Sequence, residues 1–251
     1  GQFYAFYLPA ALSLASDYWR FAVIGGICGS RLSPTDLGVF QAAYRIIYLC
    51  MAFTGALGQA IGTKVSLCLG AGRSRTAERD VSLGMAIAFL ALCGLSFLVY
   101  CIPTTLGSIF SRDPAILLKF HQARLPLAFL VFFVNFAVVL ERVPIVAGRS
   151  RSVLACAFLG SWVFQVPAVL VFLHQSPTID ALFAGVALGY FFLCIMYAAL
   201  VASLDFDAIS RDIIAQTASS AVVAEPLRTK EAPPPQKADY DAVEASSLLP
   251  K

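Results

Sequence analysis

The sequence predicts an all-α, polytopic membrane protein, a six-transmembrane-helix bundle, and three observations lead there. Hydrophobic residues make up 59% of the chain and charged ones 13%, with a mean hydropathy of +0.78; this balance excludes an ordinary soluble domain. Six apolar runs each supply the roughly 20 residues that a helix needs to cross a bilayer. No run alternates as a barrel strand would, which leaves helices to satisfy the backbone inside lipid.

The runs fall near 3–29, 37–67, 81–103, 124–146, 152–173 and 180–203, so residues 1–204 form the lobe. That part holds 13 Lys/Arg and 7 Asp/Glu, whereas residues 205–251 hold 5 and 8. Arg73, Arg75, Arg79, Arg149 and Arg151 sit in the second-third and fourth-fifth connections, which places these turns in the cytoplasm. Arg31, Arg112, Lys119 and Arg124 oppose them on the other side. Six crossings return the tail, 205–251, to the cytoplasm. The chain opens at Gly1 on an apolar run without a basic segment ahead of it. That pattern is no signal peptide, and it reads as a fragment of a longer protein. All seven cysteines lie in apolar runs without a CxxC pair, so free, buried thiols are expected. With His121 and His174 as the two histidines, neither a histidine metal cluster nor a cofactor is expected.

The first run places Asp17 near its centre, beside Tyr18 and Trp19 and three residues before Arg20. A carboxylate at that depth costs a few kcal/mol at least and faces a cavity or a partner. Two readings stand: a self-neutralising Asp17–Arg20 pair at helical spacing, or a carboxylate that couples a proton or cation to transport. The second run carries Gln41, Arg45 and Gln59; Arg45 either snorkels to the headgroups or lines a pathway. Lys64, nearer the far end, also snorkels. Gly55, Gly58 and Gly62 share one face, suited to close helix packing. Pro103 ends the third run, and His121 lies in the connection after it as an interfacial residue. In the fourth run Asn135 and Glu141 are polar at depth, and Pro144 predicts a kink. Glu141 and Arg142 diverge by about 100° around the helix and are poorly placed to meet. Gly185 and Gly189 form a GxxxG face in the sixth run, where Tyr190 and Tyr197 pack or line a pathway.

The most informative connection is Leu57 to Arg79, in which an apolar helix stops at Leu69, Gly70, Ala71 and Gly72 before a basic segment. With Ala77 and Arg79 following, it resembles the signature after a membrane helix of the multidrug and toxic-compound extrusion (MATE) transporters. Pro9, Asp17, Tyr18 and Trp19 resemble the seventh helix of the eukaryotic type. There a second acid follows five positions after the first; here that position is Ala22. The run from Leu37 is similar to the eighth helix, and Phe110 to Pro114 resembles the close of the ninth. Gly148, Arg149 and Arg151 resemble the end of the tenth, whose acid lies near Asn135, about two turns before Glu141. Trp162 to Pro167 resembles the eleventh.

The resemblance implies the C-terminal half of such a protein, helices seven to twelve, one lobe of a twelve-helix transporter. It implies an antiporter exporting organic, often cationic, compounds in exchange for protons or sodium ions, with no enzymatic chemistry and no nucleic acid. Alternating access then comes from rocking of one lobe on another, so a missing N-terminal lobe, from the same chain or a partner, is expected. The implied coupling and substrate residues are Asp17, Trp19, Arg20, Gln41, Asn135 and Glu141. Two alternatives stay open. One is a lipid-linked oligosaccharide flippase of the same superfamily, with Arg20, Arg45 and Arg142 in a cationic cavity. The other is a transport-inactive half-protein that binds a partner lobe.

From Asp205 the composition turns polar, and 225–251 has too little apolar surface to fold. Tyr240 with Val243, and Glu244 ahead of Leu248 and Leu249, resemble sorting signals read by adaptors. The plasma membrane or a vacuolar or endosomal membrane is the expected location.

Overall fold

The structure, a computed structural model, describes residues 2–215, with side chains from Ala15 onward apart from Ser16 and Asp17. It comprises α1 (Gln2–Arg31), α2 (Pro34–Gly70), α3 (Ser74–Cys101), the short α4 (Pro103–Ser108) and α5 (Pro114–Gln122), and α6 (Arg124–Val146). α7 (Ser150–Phe158), a π-helical stretch (Leu159–Gln165), α8 (Val166–Gln175) and α9 (Ile179–Ala202) follow. Residues 206–215 are helical again, and no strand occurs among the described residues. Compact packing divides the chain after Ser210. Five of the described spans are long and apolar enough to cross a membrane. The expected first crossing coincides with α1, whose 30 residues extend about 45 Å at 1.5 Å each.

Helix ends follow the local sequence. Ser33 caps α2 reciprocally: its hydroxyl accepts from the Asp36 N–H, and the Asp36 carboxylate accepts from the Ser33 N–H, the capping box that satisfies two orphan donors. Lys119 of α5 closes on Asp36. At the opposite end, α2 and α6 stop in matching turns, Ala71-Gly72-Arg73-Ser74 and Ala147-Gly148-Arg149-Ser150. Gly72 and Gly148 take φ of 75° and 77°, which a side chain would strain. Arg73 N–H donates to Cys68 and Arg149 N–H to Pro144, both over 2.9 Å. These are the reversed bonds of a glycine-terminated helix. Ser210 donates to the Leu69 carbonyl over 2.7 Å and Ser74 engages Asp207, which holds 206–210 against this end.

α6 forms the middle of the bundle, packed by α2, α3 and α9. Leu127, Leu130 and Val131 are fully buried there, with Phe40, Leu182 and Phe183 against them. α2 and α6 run parallel. Thr54 pairs with Asn135, Gly58 lies over Val139 and Arg142, and Gly62 lies over Arg142 and Val146. Gly55 is a correction to the expected glycine face, since none of the described residues lies within 4 Å of its would-be Cβ. On α9, Gly185 packs on the Val169 backbone and Gly189 on Gln165, as the GxxxG spacing predicts.

Three expectations change. The fifth span is no continuous α-helix, because the π-helical stretch interrupts it directly before Pro167. Proline lacks an N–H and its ring clashes one turn back, a strain that the wider turn relieves. The connection after α3 is ordered into α4 and α5, whose N-cap Asp113 accepts from the Ala115 N–H over 2.9 Å. The cysteines are all free, yet Cys93 and Cys101 are exposed and Cys50 and Cys156 half-buried. A bundle in lipid presents apolar residues outward as well as inward, so an apolar run does not mark burial.

Candidate functional site

Midway along α1, α2, α6 and α9 lies a cavity of about 240 Å³, lined by Tyr18, Arg20, Phe21, Tyr44, Tyr48, Glu141, Tyr190 and Tyr197 among others. α1 supplies Arg20, 7% exposed. Its Nη1 donates to Ser161 Oγ and its Nη2 to the Tyr190 hydroxyl, each over 2.7 Å. The guanidinium also lies 4.9 Å from the Tyr190 ring centroid, within cation–π range. Burying a guanidinium costs several kcal/mol unless its donors are met, and the π-helical stretch and α9 meet them here.

Glu141 reaches the same cavity from α6, so a carboxylate and a guanidinium line one cavity. Tyrosine dominates the rest. Phe21 packs edge-on to Tyr44 at 4.5 Å between ring centroids, and Tyr197 is 2% exposed. Such a lining offers π-faces to a cation and hydroxyls to polar groups. The other predicted residues take different places. Asn135 is wholly buried behind the wall, accepting from Thr54 and donating to the Val131 carbonyl, both over 2.7 Å. Trp19 is 61% exposed, and Gln41 is exposed on α2. Asp17's side chain lies outside the described residues, as do Tyr240, Val243, Glu244, Leu248 and Leu249.

Sequence reasoning found only part of the aromatic lining of this cavity. Tyr190 and Tyr197 were expected to pack or line a pathway, and both line the cavity, but Tyr44 was not singled out; its one usable signal was the spacing of Phe40, Tyr44 and Tyr48 along one helix face. It also missed Ser161, whose hydroxyl completes the Arg20 site.

Arg45 and Gln41 belong to a different surface. Gln41, Arg45, Ala52, Gln59, Thr63 and Ser66 are all exposed, at spacings that run down one side of α2, and Tyr48, placed between them, borders the cavity. Lys64 lies beside this stripe and pairs with Asp80 at 3.2 Å. A polar stripe on a membrane-spanning helix is costly against hydrocarbon and suits a water-lined cleft or a covering protein surface.

A comparison with family descriptions matches residues 9–171 to the MatE family. The chain belongs to the MatE family. Multidrug and toxin extrusion protein 1 of Danio rerio is 23% identical over 207 residues, 82% of this chain and 35% of that protein. Protein DETOXIFICATION 51 of Arabidopsis thaliana is 28% identical over 125 residues, 47% of this chain and 22% of that protein. The crystal structure of the eukaryotic MATE transporter AtDTX14 superposes with a TM-score of 0.78 at 19% identity, covering 86% of this chain and 49% of that one. An outward-facing MATE family transporter of the MOP superfamily gives 0.73 at 16% identity, covering 81% and 46%. The chain thus spans about half of the solved MATE structures, and at most about a third of these curated relatives.

Proposed function

We propose that this chain is the C-terminal lobe of a secondary antiporter that exports organic cations in exchange for protons or sodium ions. The single observation that carries this reading is the cavity between α1, α2, α6 and α9, where Glu141 and Arg20 share a tyrosine-rich lining. A carboxylate near aromatic faces binds a cationic compound or a small cation, one excluding the other, and that exclusivity is what exchange requires. The exposed polar stripe on α2 supports a second lobe, or the cleft between two lobes, as its cover. The similarity to proteins named for multidrug and toxin extrusion supports the substrate class. Arg20 lines the cavity, Arg45 is exposed on α2, and Arg142 packs on Gly58 and Gly62. The three arginines therefore do not converge as the flippase alternative needs.

Asp17, one turn before Arg20, is the proposed coupling carboxylate, with Glu141 in a lesser role. The test is gradient-driven export of tetraethylammonium by proteoliposomes holding both lobes. Asp17→Asn is expected to abolish export with expression retained, Asp17→Glu to keep part of it, and Glu141→Gln to do less damage. Full export by Asp17→Asn with unchanged pH and sodium dependence sinks the coupling role. Robust export by monomers of this chain alone sinks the need for a second lobe.

A further inference from the structure

A second, larger cavity lies away from Arg20 and Glu141. Between α6, α8 and α9 runs an open groove of about 570 Å³ that Phe129, Phe133, Phe172 and Phe191 line with Thr178 and Asp180. α8 and α9 pack antiparallel through Val169–Gly185 and Gln165–Gly189. Asp180, in the first turn of α9, therefore lies at the end opposite the arginine-bearing turns. Its Oδ1 is buried without a hydrogen-bond partner. Lys119 is engaged by Asp36. Lys119 still acts on it at a distance, opposed by Asp36, and the α9 dipole offsets about half a charge at most, so the carboxylate keeps part of its negative charge at one end of a groove lined by four aromatic rings. Phe129 is 51% exposed and Phe191 39% exposed, so the groove opens sideways where lipid meets the bundle.

We propose that this groove is a lateral binding site for an amphiphilic organic cation, its charged head at Asp180 and its apolar body among the phenylalanines. A buried, unpaired carboxylate oxygen favours a cation over a neutral or anionic guest, and the rings add cation–π attraction. The same chemistry is offered by a dissolved lipophilic cation and by the ammonium headgroup of a bilayer lipid.

The test is equilibrium dialysis of the 251-residue chain in uncharged maltoside micelles. Tetraphenylphosphonium is the probe, and tetraphenylborate is its control of like shape and opposite charge. Asp180→Asn is expected to weaken phosphonium binding about tenfold and leave the borate unweakened, while Phe129→Leu weakens the phosphonium about threefold. Displacement of bound phosphonium by phosphatidylethanolamine would identify the lipid amine as an occupant; no displacement would identify the dissolved cation. Glu141→Gln should leave the Asp180-dependent binding intact, so this site stands or falls separately from the central cavity. Unchanged phosphonium binding by Asp180→Asn, or equal loss of both ions, overturns the proposal. So does a Glu141→Gln variant that loses the phosphonium as completely.

Discussion

Gly189→Ala should be among the most damaging single-methyl changes in the bundle. A Cβ there would lie 2.3 Å from Gln165 Cβ and 2.6 Å from its Cα, about 1 Å or more short of the roughly 3.5–4.0 Å at which carbons rest. The neighbour is backbone and the root of a buried side chain, so the helices must separate. Separation would also loosen the bond from Gln165 Nε2 to the Val186 carbonyl, now 3.1 Å. Overpacking of this kind costs about 3 kcal/mol, and the helix propensity of alanine returns about 1. The net loss of about 2 kcal/mol lowers Tm by roughly 4–8 °C for a chain of this size. Gly55→Ala meets none of the described residues within 4 Å, so it should gain about 1 kcal/mol and shift Tm the other way. Buried Cys28, Cys68 and Cys194 supply the assay. With the exposed Cys93 and Cys101 replaced by Ser in every sample, a thiol-reactive dye reports their release on heating in micelles. A Gly189→Ala protein that melts with its parent, or alongside Gly55→Ala, refutes the packing argument.

Arg20→Lys keeps the charge but cannot bridge Ser161 and Tyr190 together; the same melt should show a loss of about 1.5–3 kcal/mol. Thr54→Val leaves Asn135 Oδ1 without its donor and should cost about 1–3 kcal/mol. Adding Asn135→Leu removes both partners, and a double variant no closer to the parent than Thr54→Val would show that the bond is not the cause. In the tail, Leu248 and Leu249 changed to Ala should move the protein from internal membranes toward the cell surface, read by microscopy of the tagged protein. An unchanged distribution with Tyr240 also replaced dismisses both motifs.

Much of the fold was legible because lipid leaves a chain few choices. Apolar runs of bilayer length have to be helices, and two of their ends showed in Gly72 and Gly148. Gly185 and Gly189 declared their role for the same reason, since spacing by four places two missing side chains on one face. Gly55 has the same spacing logic and no neighbour among the described residues, because periodicity reveals a face without revealing what covers it. The cysteines failed on a related ambiguity: hydrophobicity separates inside from outside in water, but both are apolar in a membrane. The site was half legible. Arg20 and Glu141 stand out as charges at depth and Tyr190 and Tyr197 as packing or pathway-lining, whereas Ser161 and Tyr44 acquire meaning only once α9 and the π-helical stretch are set beside α1 and α2. Asn135 was legible as polar, but not as a residue already satisfied by Thr54.

The π-helical stretch has a consequence for the phase of its whole span. Val153, Ala157, Ser161, Gln165, Val169 and Leu173 are all buried, a strict repeat of four. An uninterrupted α-helix overshoots a full turn by about 40° every four residues. Over the five steps from Val153 to Leu173 that accumulates to about 200°, enough to carry one end of the stripe to the opposite side. A π-helix closes each ring one residue later and turns less per residue, so the seven residues from Leu159 to Gln165 act as a counter-rotation that keeps the stripe inward. Excising one residue there would let the α-helix close, and would swing one half of the span about 100° away from its partners. The irregular turn works as a vernier, setting two half-helices to one common bearing.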